Sequence, residues 1–391
     1  MPEPTAPVAV QSAAMAQRPI LLSEQRRNGL LFLGFLAFAL VYPALDQAFH
    51  WQRLGSMNPI LIYVILALGL NIVVGYAGLL DLGYAAFFAI GGYTVAFLTA
   101  PQSPLPFRTD FWVALILSWV VAAVFGVILG APTLRLRGDY LAIVTLAFGE
   151  IVPRAFLNLD RWTNGSRGMN PIGRPHFGEQ ELLASDQVQW YYLILAVMLV
   201  SVFVITRLHD SRLGRAWMAM REDESAAASM GIDLVRTKLL AFALGASFSG
   251  FAGSMYASML QFIDPFQFDF SISIIVLSMI ILGGIGNIWG VIIGAVVMGI
   301  FNFIVTDAAT SWIRTFAGFV NIPVLSDQLA KADLSSSKLL LFGLVLVLLM
   351  AIRPQGLFPS VQRRQELLPP TDAPGAPAPS AMDPAVAPRN R

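Results

Sequence analysis

The sequence predicts an all-α polytopic membrane protein with about ten transmembrane helices. Three observations carry that expectation. Hydrophobic residues make up 56% of the 391 residues and charged residues only 13%, with a mean hydropathy of +0.67, far from the balance of a water-soluble chain. Uncharged runs of bilayer-crossing length recur along the chain. The basic residues also divide unequally between alternate connections.

The uncharged runs cover residues 28–45, 54–80, 82–107, 111–134, 187–206, 239–263 and 270–306. About 20 apolar residues are needed to cross roughly 30 Å of hydrocarbon. The last run, 37 residues long, is broken at Gly283-Gly284-Ile285-Gly286-Asn287 and reads as two crossings joined by a tight turn. Residues 140–159, interrupted by Glu150 and Arg154, and the short run 339–352 complete the set. The first run follows Arg26-Arg27 but lacks a small-x-small site directly after it, so it reads as a retained signal anchor. Residues 1–27 and 361–391 are rich in Pro and Ala and are expected to be disordered, which leaves 28–360 as the membrane domain.

Charge sets the orientation. With the N-terminus inside, the inner segments through Arg364 hold 14 Arg and Lys against nine on the outer ones, and Arg389 and Arg391 add to the inner side. Basic residues concentrate on the cytoplasmic side, so both termini are expected there, in a bacterial inner membrane. The strongest signal is the stretch 207–238, RLHDSRLGRAWMAMREDESAAASMGIDLVRTK, which holds eleven of the chain's 49 charged residues, six of them basic. It cannot lie in lipid. It reads as a short cytoplasmic helix over residues 216–230, stopped by Gly231, and suits docking to a soluble partner, with Met218 and Met220 available to fill a groove.

Glycine is the recurring device within the spans, at Gly75, Gly78, Gly83, Gly91 and Gly92 and again from Gly245 to Gly294. Small residues let helices approach closely, and Gly also permits a broken span beside a cavity. Each half carries such an element next to an Asp (Asp81, Asp269), and spans two to five would run opposite to spans seven to ten, which hints at an inverted repeat. Glu150 and Arg154 are spaced to form an ion pair on one helical face. Asn71, Tyr84, Gly91, Gly92, Thr145, Gly283 and Gly284 are the candidates for lining a substrate path, with interhelical packing or hydrogen bonding as the alternative role for each. The outer loops near 160–186 and 307–337 are candidate landing surfaces for an external partner.

Several chemistries are excluded. There is no Cys and only three His, so thiol catalysis, disulfides and thiolate metal sites are out. A phosphate-cradling Gly loop followed by Lys is lacking, so the chain itself cannot hydrolyse ATP. Its net charge of +1 is dispersed, which gives no nucleic-acid surface.

Several stretches resemble the high-affinity branched-chain amino acid ABC transporter permeases of the LivM type. They are LNIVVGYAGLLDLGYAAFFAIGGYTVAFL (70–98), LRLRGDYLAIVTLAFGEIVPR (134–154), the charged island, LGASFSGFAGSMYAS (244–258), ILGGIGNIWG (281–290) and RPQGLFP (353–359). The likeness covers about residues 60–360. It implies a type II-like ABC importer permease that binds no cofactor itself. The implied partners are a homologous second permease, two cytoplasmic ATP-binding subunits that hold ATP and Mg, and an external substrate-binding protein, all around a chain embedded in membrane lipid. It also implies that Glu224-Ser225-Ala226-Ala227-Ala228…Gly231 is the counterpart of the family's cytoplasmic Glu-Ala-Ala…Gly pattern, with Arg221, Glu222 and Asp223 orienting the interface. The implied cargo is Leu, Ile or Val. Urea, short amides or other amino acids are the alternative for the same importer class. An ion-coupled transporter is the more distant alternative, because only Glu150 offers a carboxylate well inside a span.

Overall fold

The computed structural model describes residues 36–51, 53–133, 136, 138–178 and 180–305, with Gly34, Gly343, Leu344, Val347 and Leu357. The expected crossing at 339–352, the loop 307–337 and both tails lie outside these residues, apart from the single positions named. Two units divide the chain, Met1–Gly55 and Ser56–Arg391. In the first, helix α1 (Leu36–Ala48) is followed by a turn in which Asp46 Oδ1 accepts from the Arg53 N–H at 2.9 Å.

In the second unit, α2 (Leu54–Leu70) runs into a π-helical turn (Asn71–Tyr76), and a non-helical stretch leads to α3 (Tyr84–Thr99). Then come α4 (Phe111–Thr133), α5 (Asp139–Asn158), the short α6 (Asp160–Thr163) and a hairpin of β1 (His176–Phe177) with β2 (Gln180–Glu181). The chain continues through α7 (Gln187–His209), α8 (Arg212–Glu222), α9 (Glu224–Ser229), α10 (Leu234–Leu260), α11 (Phe270–Gly283) and α12 (Ile288–Ile300). Among the described residues, six helical stretches are long and apolar enough to cross a membrane, and α1, α3 and α12 are shorter apolar helices.

The core of this unit is α10, flanked by α3 and α4. Lipid offers no hydrophobic drive between helices, so close van der Waals approach must supply the cohesion. Gly91 of α3 lies directly against Gly250 of α10, Gly253 against the Phe88 carbonyl, and Gly126 of α4 against the Phe242 carbonyl. A Cβ at Gly91 would overlap the Gly250 backbone. Polar side chains add to the seam: Ser254 Oγ hydrogen-bonds Ser118 Oγ, and the Tyr84 hydroxyl donates to the Gly245 carbonyl at 2.9 Å. On the other face of α4, Val113, Ile116, Val120, Val124 and Ile128 are exposed at helical spacing, which suits contact with acyl chains.

The tight turn expected between the last two described crossings is present. Gly284 and Gly286 take φ of 114° and 85°, and Asn287 caps α12 by accepting from the Trp289 N–H at 3.1 Å. On the face opposite the charged island, Met169 pairs with Ile263. This fastens the loop before α7 to the end of α10.

Substituting Gly91 with Leu is therefore expected to force α3 and α10 apart. The cost should be about 1–3 kcal/mol or more, read as a lower thermal midpoint in detergent. An unchanged midpoint would show that this contact is not a packing seam.

Candidate functional site

The island is built from caps. Ser211 Oγ accepts from the Gly214 N–H at 3.3 Å and starts α8. The single helix expected over 216–230 is in fact two, because Asp223 leaves helical geometry (φ −154°, ψ 111°). Its Oδ1 accepts from the N–H groups of Ser225 at 2.7 Å and Ala226 at 3.0 Å and from the Ser225 hydroxyl at 2.6 Å. The physical reason lies in the residue: a short carboxylate bonds the following amides better outside a helix than within one. The Ser225 hydroxyl, with the Ala226 and Ser225 amides behind it, holds the Asp223 carboxyl below its ordinary value. The cap is thus present above the usual carboxylate range and is lost as pH falls through that lowered value. Gly231, at φ 85°, closes α9 as expected.

Two charged side chains turn inward. Lys238 at the start of α10 is almost fully buried, and its Nζ lies 2.6 Å from Glu224 Oε1. Lys238 was not expected as a partner, since a Lys at a span boundary ordinarily extends to water. Arg221 reaches into the membrane unit. Its Nη1 donates to the Gly75 carbonyl at 2.6 Å, and its methylene stem covers Gly78 at φ 69°. Gly75 belongs to the π turn that ends α2. The same turn contacts the α11–α12 connection, where the Gly286 N–H donates to Asn71 Oδ1 at 3.0 Å. The island is thereby seated on the backbone breaks of two separate elements. Met220 is buried against its own chain rather than presented to a partner, and the Trp217 indole donates to the Thr237 carbonyl at 2.8 Å. The exposed surface of the island includes Glu222, Asp223, Ser225, Ala226 and Ala228, together with Arg212, Arg215, Met230 and Arg236.

The other candidates are distributed differently. Asn71, Tyr84, Thr145, Gly91, Gly92 and Gly283 are buried within their own chain. Thr145 Oγ accepts from the Leu82 N–H at 3.0 Å, Tyr84 bonds Gly245 as above, and Gly283 lies against Gly290. Their common role here is to hold helices and the non-helical stretch together. Gly284 shapes the turn. Glu150 and Arg154 lie elsewhere, on α5, with Arg154 Nη2 3.3 Å from Glu150 Oε2 and the two side chains 43% and 75% exposed. Asp81, in the non-helical stretch, is fully buried; its Oδ1 accepts from the Gly83 N–H at 2.9 Å, and its Oδ2 has no partner among the described residues.

Apolar crossings around a glycine-packed core, with a charged island seated on interrupted spans, define a polytopic membrane permease. Residues 53–353 match the family described as branched-chain amino acid transport system / permease component, and the chain belongs to that family. It is 39% identical to the high-affinity branched-chain amino acid transport system permease protein LivM of Salmonella typhimurium, over 89% of this chain and 79% of that protein. It is 25% identical to the corresponding permease protein LivH of Escherichia coli over 66% of this chain and 84% of that protein. Ribose import permease protein RbsC of Haemophilus influenzae is 24% identical over 72% of this chain and 84% of that protein. No solved structure matches the chain.

The Lys238–Glu224 pair has a measurable consequence. Glu224→Ala strands a buried ammonium and should cost on the order of 3 kcal/mol of stability in detergent. Adding Lys238→Met should restore most of it. A double variant less stable than Glu224→Ala would mean that the two charges are not coupled.

Proposed function

We propose that this chain is a membrane-spanning subunit of an ATP-driven importer, translocating branched-chain amino acids delivered by an external binding protein. The observation that carries the mechanism is Arg221. Through it, a force applied to the cytoplasmic island reaches the Gly75 carbonyl and the adjoining Gly286 turn without passing through a flexible linker. Two cytoplasmic ATP-binding subunits grip the exposed residues Glu222, Asp223, Ser225 and Ala226. Closure of those subunits on ATP shifts the island and the two backbone breaks together as a rigid body.

A second permease of the LivH kind completes the membrane part. The relatives named for branched-chain amino acids support the cargo. The chain crosses the membrane about ten times with both termini cytoplasmic, and its two halves are related as an inverted repeat around the Gly-rich breaks.

Reconstitution with both permeases, the ATP-binding subunits and the binding protein tests this. Leucine, isoleucine or valine on the binding protein should stimulate ATP hydrolysis and uptake. Arg221→Gln should leave hydrolysis running while uptake falls by about tenfold or more. Stimulation by none of the three amino acids would overturn the cargo; full uptake by Arg221→Gln would overturn the coupling route.

A further inference from the structure

On the face opposite the island, a pocket of about 360 Å³ opens between α5 and the turn Pro265–Phe268. Glu150, Arg154, Leu157, Phe266 and Asp269 line it, and Gly149, which abuts Gly83, is taken as its floor. Its size falls in the range of small-molecule sites.

The position is informative. Glu150 is eleven residues into α5, about 17 Å from the helix start at 1.5 Å per residue, and Arg154 is one turn further out. The floor therefore lies near mid-membrane and the mouth at the outer surface. Charges at this depth are costly and mark pathways or binding sites more often than scaffolding. α5 is also the least enclosed of the long spans, with 22% of its apolar window buried against 89% for the α2 span. A helix carrying an ion pair on so open a face is unsuited to lipid alone.

The wall opposite α5 is rigid. Asp264 Oδ1 accepts from the Phe266 N–H at 2.8 Å and the Gln267 N–H at 3.2 Å. Phe268 is fully buried and meets the Phe88 ring edge-on at 5.3 Å. Asp269 is partly engaged by the Ser271 hydroxyl at 2.9 Å. The lining thus presents one cation, two carboxylates and aromatic and aliphatic surface. Gly149 also abuts Gly83, where a Cβ would come within 2.9 Å of the Gly83 Cα. The floor of the pocket therefore rests on the non-helical stretch whose other end Arg221 holds.

We propose that this pocket is the external transit site for the amino-acid zwitterion. Glu150 receives the α-ammonium, Arg154 receives the α-carboxylate, and Leu157 and Phe266 accept the aliphatic side chain. The proposal rests on the function argued above and adds the place of recognition within this chain. The two charges satisfy each other at 3.3 Å; a zwitterion replaces that one salt bridge by two and strands neither charge. Movement of residues 77–83 on ATP binding would then raise or lower the floor.

The test uses the complete importer in proteoliposomes with its binding protein and labelled leucine. Glu150→Gln, Arg154→Gln and the double variant should each lower uptake about tenfold or more. The charge-reversed double variant, Glu150→Arg with Arg154→Glu, should remain low although it rebuilds an ion pair. Wild-type uptake by either double variant would make the pair structural and overturn the proposal.

Should those variants fail to assemble, the absence of cysteine allows a second route. Phe266→Cys, at a side chain that is 66% exposed, is assembled first and then modified from outside with a bulky maleimide. Modification should stop uptake, and millimolar leucine should slow it. Uptake that survives full modification would overturn the proposal. A wild-type importer that carries no branched-chain amino acid would instead sink the functional reading itself, so the two failures are distinguishable.

Discussion

The hydrogen bond from Arg221 to the Gly75 carbonyl is the interaction on which the rest of the structure depends. A span interrupted within a membrane must find partners for its freed backbone groups, because hydrocarbon supplies none. Between α2 and α3 the chain gives up helix over residues 77–83, and several of the freed groups are met by an identifiable donor or acceptor. The Ala77 and Leu79 amides return to Ile72 and Val73 at 3.1 and 3.0 Å. The Gly83 amide uses Asp81, Leu82 uses Thr145 of α5, and Ala85 uses Ser273 of α11 at 3.0 Å. Arg221 of the island takes the Gly75 carbonyl. The break is thus joined to α5, α11 and the island together, and a shift in one is felt by the others.

This arrangement changes the meaning of the island's charges. A loop rich in Arg, Asp and Glu invites the view that all of them await a partner. Instead Arg221, Glu224 and Lys238 are consumed internally, one in seating the island and two in joining α9 to α10. Removing any of the three would disturb the permease before it disturbed a docking interface. What remains outward is a mixed surface, the acidic and small residues Glu222, Asp223, Ser225, Ala226 and Ala228 beside the basic Arg212, Arg215 and Arg236 and the exposed Met230.

Six of the expected crossings were legible in the sequence, because apolar length is a direct consequence of bilayer thickness, and the glycine clusters because helices in lipid need small contact residues. The island was legible from charge alone. Its break at Asp223 was not, since the stretch Ala226-Ala227-Ala228 favours helix and the cap depends on a single rotamer. Neither was the buried role of Lys238, which depends on a fold that brings Glu224 above it. For Asn71, Tyr84 and Thr145 the sequence favoured a bond to a neighbouring helix over a place on a path, and all three bond the protein itself. The pocket on α5 was half visible: the spacing of Glu150 and Arg154 gave the ion pair, while its opposite wall comes from Pro265 to Asp269, more than a hundred residues away.

The central claim, that the island and the two backbone breaks form one mechanical body, is open to a direct distance measurement. With no native cysteine to remove, spin labels at Met230→Cys on the island and Ile285→Cys in the α11–α12 turn can be followed in the assembled importer through the ATP cycle. A distance that stays constant between the nucleotide-free and ATP-bound states, while the island moves relative to an outer reference such as Phe177→Cys, is the expected result. A change between island and turn of several ångströms would contradict rigid transmission through Arg221.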